Sequence, residues 1–121
     1  MKKTGFMIVL MLLLWSLVGC SSQATMGEKD LIIDILGADG YENQYILSTD
    51  EEYLGDVLAK TEIAEMEEGS FGRFITTVDG YTADATSEYW SIIINDEYAT
   101  KGADELAISD GDTICLALAT F

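Results

Sequence analysis

One stretch of this chain has helical spacing, and the apolar runs around it are all strand-like. Tyr53, Leu54, Val57 and Leu58 fall at i, i+1, i+4 and i+5, which predicts a short amphipathic helix running to about Lys60. Before it, Leu31–Leu36 is a β-branched run closed by Gly37 and an Asp39-Gly40 turn, and Tyr45–Leu47 can form a second strand. After it come Phe71–Val78 with an Asp79-Gly80 turn, and Tyr89–Asn95 with Asn95-Asp96 as a two-residue hairpin turn. A last strand, Thr113 to about Thr120, follows the tight turn Asp110–Asp112. A single amphipathic helix covers one face of a sheet and no more. The order therefore predicts a two-layer α+β domain of β-grasp-like topology, one helix on a mixed sheet of four to five strands. The first and last strands would lie parallel at its centre.

Local chemistry sharpens this outline. Thr49 followed by Glu52 reads as a capping box, or Asp50 serves as the cap instead. Gly55 costs its helix about 1 kcal/mol relative to Ala, which predicts a close approach to the sheet. Glu65–Ser70 reads as an acidic loop. The chain has no proline, so its turns depend on glycine, asparagine and aspartate. In the final strand Ile114, Leu116 and Leu118 share one face, under the helix, and Cys115, Ala117 and Ala119 share the other. Trp90, Ile92 and Ile94 oppose Tyr89, Ser91 and Ile93 in the same way. An open sheet face is ordinarily polar. Here either a loop of this chain covers the second face, or something external does. In the external case it is a shallow apolar site with Tyr81, Tyr89 and Tyr98 as rim aromatics and Trp90 as a further candidate platform.

The N-terminus carries a different kind of signal. Lys2 and Lys3 precede an apolar run from Phe6 to Val18 that ends in Leu17-Val18-Gly19-Cys20. The run is short of the roughly 20 residues a spanning helix needs. It reads instead as a bacterial lipoprotein leader, with small Gly19 at the cleavage site and the Cys20 thiol as the lipid acceptor. The expected organisation is a signal peptide over 1–19, a lipidated tether over 20–29 and one domain over 30–121. Residues 20–121 keep Lys29, Lys60, Arg73 and Lys101 against all 22 acidic residues. That balance disfavours nucleic acid and anionic lipid as partners, so the lipid at Cys20 has to hold the protein to the membrane. The expected location is extracytoplasmic, anchored to the bacterial cell membrane.

What the chain lacks narrows the chemistry. There is no histidine, which removes Ser-His and Cys-His catalysis and the usual zinc and haem ligands. With Cys20 lipidated, Cys115 stands alone and reads as a small buried hydrophobe. Asp110–Asp112 and Asn95–Glu97 offer oxygen ligands, but neither has the spacing of a calcium loop. No catalytic residue, metal site or resident cofactor is expected, and the chain does not read as an enzyme.

An ordered series of motifs adds a family reading. Tyr53–Leu58 is followed by Gly69–Gly72, Ile75–Gly80, Tyr89-Trp90, Asn95–Tyr98, Gly102 and Asp110–Asp112. Over about residues 31–121 this series resembles a domain-of-unknown-function family of bacterial cell-surface proteins related to the C-terminal domain of transcobalamin and intrinsic factor. The resemblance implies a β-grasp-like fold. In those vitamin carriers the domain closes over a corrinoid held mainly by a separate helical domain. The chain departs from the family pattern at Asn95-Asp96, where Asn-Gly is usual, and in the final strand, which is aliphatic rather than aromatic. The expected function is a membrane-tethered, non-enzymatic module that captures a cofactor- or corrinoid-like small molecule for a nearby uptake system. The alternative is an interaction or accessory domain of a cell-surface or transporter assembly.

Overall fold

The computed structural model describes residues 28–121. Cys20, the leader over 1–19 and nearly all of the expected tether lie outside the described residues. Eight strands and one helix follow in the order β1 (Lys29–Leu36), β2 (Glu42–Thr49), α1 (Leu54–Ala59), β3 (Ala64–Gly69), β4 (Gly72–Val78), β5 (Tyr81–Thr82), β6 (Glu88–Ile94), β7 (Glu97–Tyr98) and β8 (Thr113–Thr120). They form a five-stranded sheet in the order β2-β1-β8-β6-β7 and a three-stranded sheet in the order β3-β4-β5. The expectation of one mixed sheet of four to five strands under a helix is thereby corrected. Among the described residues the fold is mostly β, in two sheets, with a single α-helix of 6 residues. Among the described residues no helix is long and apolar enough to cross a membrane.

The parallel pairing of first and last strands is present. β1 and β8 run side by side in the middle of the larger sheet, with Ile33 opposite Ile114 and Ile35 opposite Leu116. Antiparallel partners flank them, β2 along β1 and β6 along β8. Period-two alternation turns Leu31, Ile33, Ile35, Ile114 and Leu116 to one face, where all are buried. α1 and the smaller sheet cover that face together, adding Leu54, Val57, Leu58, Ile63, Ile75 and Val78 to one continuous core.

Three local expectations change. The helix begins at Leu54 with Tyr53 as its cap, and no side chain caps it. Thr49 instead accepts the Glu51 N–H at 3.1 Å, a local turn that ends β2. The acidic segment expected as a loop is the strand β3, whose Ala64 is buried and Met66 half-buried while Glu65, Glu67 and Glu68 point to water. Gly55 does mark a close approach, but to side chains. A Cβ there would overlap Asp104 Oδ1 and lie 3.2 Å from Arg73 Nη2.

The turns behave as their residues dictate. Asp79 (φ 48°) and Gly80 (φ 81°) join β4 to β5, and Asn95 (φ 49°) and Asp96 (φ 70°) join β6 to β7. Both pairs have the double positive φ of a two-residue hairpin turn, which matches the twist of the strands on either side.

Candidate functional site

β6 is paired on one side along its whole length and on the other side hardly at all. β8 runs from Glu88 to Ile94 on its inner edge. On the outer edge β7 pairs only with Ile93 and Ile94, and the Ala99 N–H extends this by donating to the Ile92 carbonyl at 2.8 Å. From Trp90 toward Glu88 that edge has no strand partner among the described residues. A groove of about 410 Å³ follows it, bounded by Phe74 of β4, Tyr89, Trp90 and Ile92 of β6, and Tyr98 and Lys101 beyond it. Because the groove wraps an edge, side chains from both faces reach it. Tyr89 comes from the outer face and Trp90 from the core face, one residue apart.

Three of the four sequence candidates, Tyr89, Trp90 and Tyr98, thus line one groove. Tyr98 is 73 % exposed and Tyr89 42 %, so the Tyr98 ring is open to a ligand and the Tyr89 ring partly so. Phe121 already leans on Tyr89, with centroids 5.1 Å apart. Trp90 is 7 % exposed and belongs to the core cluster, and its indole N–H is buried without a hydrogen-bond partner. Its ring is therefore a wall of the groove rather than an open platform. Tyr81 lies elsewhere, on β5. Its hydroxyl donates to Glu88 Oε1 at 3.0 Å, and its ring meets Trp90 edge-on at 6.3 Å and 81°.

The outer face of the larger sheet is open among the described residues. No loop covers it, so the covering loop considered above is absent there. Cys115, Ala117 and Ala119 are only half-buried, and Leu36 and Ile46 are exposed. A shallow depression of about 650 Å³ crosses it between Leu36, Ile93 and Cys115 and the polar Asp34, Glu42 and Gln44. Cys115 is therefore not the fully buried hydrophobe expected. Burial and then the nearby Asp34 carboxylate push its thiol pKa up, which keeps it protonated and a poor nucleophile.

Two polar clusters escaped the sequence reading. Asp79, in the β4–β5 turn, accepts Tyr45 OH at 2.7 Å, Tyr41 OH at 2.9 Å and Asn43 Nδ2 at 2.9 Å. Burial pushes its pKa upward, but the three donors outweigh it and hold the carboxyl below its ordinary range. The same bonds raise the Tyr41 and Tyr45 phenols. Alternation was the available signal, since Asn43 and Tyr45 share one face of β2 and Tyr41, just before the strand, continues the i, i+2, i+4 spacing. The second cluster centres on Arg73, the one arginine of the chain. Its Nε and Nη2 donate to Asp104 Oδ1 at 3.0 and 2.6 Å, and Nη2 also reaches Asp56 Oδ1 at 3.0 Å. The hydrogen bonds to Asp104 come first in raising the guanidinium pKa, against an opposing effect of burial. A lone arginine among 22 acids was the sequence clue. Among the described residues no group of three or more Cys, Asp or Glu is arranged to hold a metal ion.

Comparison with known proteins places this geometry. The family described as "Domain of unknown function (DUF4430)" matches over residues 51–120. No curated protein matches the chain significantly. A structure from Ruminococcus gnavus, described as that of "a putative metal binding protein", is 36 % identical with a TM-score of 0.74 and covers 77 % of this chain and 98 % of its own. Haptocorrin in complex with Cbi is 16 % identical with a TM-score of 0.59, over 78 % of this chain and 25 % of the haptocorrin chain. At that identity the second likeness shows the fold alone. The first is thus described as binding a metal, and the second holds Cbi.

Proposed function

The chain belongs to the DUF4430 family, and on that premise we propose that it is a non-enzymatic binding module of the cell surface. In this reading Cys20 carries a lipid that anchors the module to the outside of the bacterial cell membrane. The β6 groove captures a cofactor- or corrinoid-like small molecule for a nearby uptake system. The observation that carries the reading is the groove itself, in which Phe74, Tyr89 and Tyr98 present aromatic surface beside an unpaired strand edge. Its size of about 410 Å³ lies within the range of small-molecule sites. Lys101 supplies the one positive charge on its rim, which suits a ligand with an acidic substituent. The metal named for the R. gnavus relative is not carried over, because the described residues hold no cluster of metal-ligating side chains.

The test is mass spectrometry of whatever co-purifies with the protein, followed by calorimetric titration of that compound. Tyr89→Ala and Tyr98→Ala remove exposed rings that the core does not need. The double variant should weaken binding at least about tenfold, a loss of roughly 1.4 kcal/mol. Full affinity in the double variant would sink the groove as the site. A second reading is favoured by one observation, the unpaired outer edge of β6. Such an edge accepts an extended peptide as an added strand, with affinity from main-chain bonds. Co-purification of a protein partner that is kept in the aromatic double variant would select the interaction-domain reading.

A further inference from the structure

On the other side of Trp90 lies a second concavity, separate from the β6 groove. It is a crevice of about 220 Å³ between the β1–β2 connection and the β4–β5 turn. Its walls are the rings of Tyr41, Tyr81 and Trp90, its base is Val78, and Asp39 and Asp79 stand at its rim. Tyr81 and Trp90 meet at 81°, so two of the rings form adjacent, nearly perpendicular walls. Gly37 lets the third ring in, because a Cβ there would sit 3.1 Å from Tyr41 Cδ1.

The electrostatics of the crevice have one sign. No lysine or arginine lines it. Tyr41 OH donates to Asp79 at 2.9 Å and Tyr81 OH to Glu88 at 3.0 Å. A phenol that donates to a carboxylate has a more electron-rich ring, which strengthens the negative potential over its face. Asp39, Asp84 and Glu88 also act on Tyr81 through space. The chain as a whole carries a formal charge of −16. Aromatic walls around a small volume, rimmed by carboxyl groups, are the arrangement that attracts a cation shedding its water. The crevice is smaller than the roughly 300 Å³ at which sites for drug-sized ligands begin, so it fits a head group rather than a whole cofactor.

We propose that the crevice formed by Tyr41, Tyr81, Trp90, Asp39 and Asp79 is a binding site for a small organic ammonium group, with a methylated ammonium head as the best fit. An ammonium with methyl substituents matches both components at once. Its methyl groups contact the rings, and its spread positive charge faces the ring quadrupoles and the two carboxylates. A bare metal ion would gain no such contact and finds no three-ligand cluster among the described residues. The site shares only the Trp90 wall with the β6 groove, and its other lining residues are its own, so variants at Tyr81 and Tyr98 separate the two.

The experiment is calorimetric titration of the full chain, held in a non-ionic detergent, with choline chloride and with its uncharged isostere 3,3-dimethylbutan-1-ol. Choline should bind saturably, and the isostere at least about tenfold more weakly. Tyr81→Phe keeps the aromatic wall and should retain affinity within about twofold, whereas Tyr81→Leu should lose about tenfold. Asp39→Asn removes a rim charge at a position of positive φ (56°) that asparagine tolerates, and should weaken choline without disturbing the fold. Circular dichroism of each variant checks that the fold is intact. Equal affinity for choline and the isostere would overturn the proposal, as would equal losses in Tyr81→Phe and Tyr81→Leu. A choline isotherm lost on Tyr98→Ala but kept in Tyr81→Leu would move the cation to the β6 groove and overturn it as well.

Discussion

Gly55 shows how one missing methyl group can hold a junction together. It is buried on α1, directly against the Arg73–Asp104 pair that ties β4 to the segment before β8. In an exposed helix, alanine at this position would gain about 1 kcal/mol. Here the new Cβ would overlap Asp104 Oδ1 and displace a partly buried bidentate pair. Gly55→Ala should therefore lower stability by about 1–2 kcal/mol in urea unfolding, since charge-assisted hydrogen bonds are worth about that much. In an Asp104→Ala background the clash is gone, and the same substitution should become neutral or stabilising. A destabilisation that persists there would mean the clash lies elsewhere. Asp79 carries a pH signature at the same scale. Its native pKa lies below the ordinary carboxylate value of about 3.9. The unfolded state then takes up the proton first as pH falls. The stability that Asp79 contributes is complete above about pH 5 and is lost as pH drops through the native value. The gap between the wild-type protein and Asp79→Asn should accordingly be widest near neutrality and close on acidification. A gap that stays constant with pH would assign it to geometry alone.

At the level of elements, β3 was the least legible part of the chain. Glu65, Glu67, Glu68 and Gly69 contradict every strand propensity, and only Ala64 and Met66 carry the inward alternation. Pairing with β4 supplies what the local sequence does not, with Glu67 opposite Phe74 and Glu68 opposite Arg73. The strands that could be read were those with two-sided apolar content or a hairpin turn. β1, β6 and β8 announce themselves through Ile and Leu, and Asn95-Asp96 and Asp79-Gly80 through residues that accept positive φ. The second sheet stayed hidden because its outer strand is acidic and β5 has two residues. Of the site, the aromatics Tyr89, Trp90 and Tyr98 were legible as a set. The acidic partners of the tyrosines were not, since Asp79 and Tyr41 are 38 positions apart. The acids of β3 also have a protective use. β3 is an edge strand, and charges there discourage pairing with another copy. Glu65→Val with Glu67→Ile should preserve the fold by circular dichroism yet produce concentration-dependent association in light scattering. A double variant that stays monomeric would show the acids are not needed as guards.

At the scale of the whole molecule, charge and the proposed lipid anchor act in opposite directions. Against 22 acids the residues from Cys20 onward offer three lysines and one arginine, so an anionic membrane surface repels this chain. Attachment through charge is thus closed to it, and the Leu17–Cys20 motif offers the other route. Each buried methylene contributes about 0.8 kcal/mol, and two acyl chains together hold stably where one does so only marginally. The short polar stretch from Ser21 toward Lys29 would then keep the β6 groove close to the membrane, within reach of an uptake partner. Charge and lipid make separable predictions. If Cys20 is lipidated as proposed, the protein should stay in the membrane fraction when salt is raised, because screening weakens only a repulsion. Cys20→Ala should release it to the soluble fraction while leaving its thermal unfolding unchanged, since the core is built from Leu31 to Leu116. Ligand affinity measured in solution should survive that release, whereas delivery in the cell should fail. Full activity of a secreted Cys20→Ala form would show that capture needs no tether, and would leave the groove as the whole of the function.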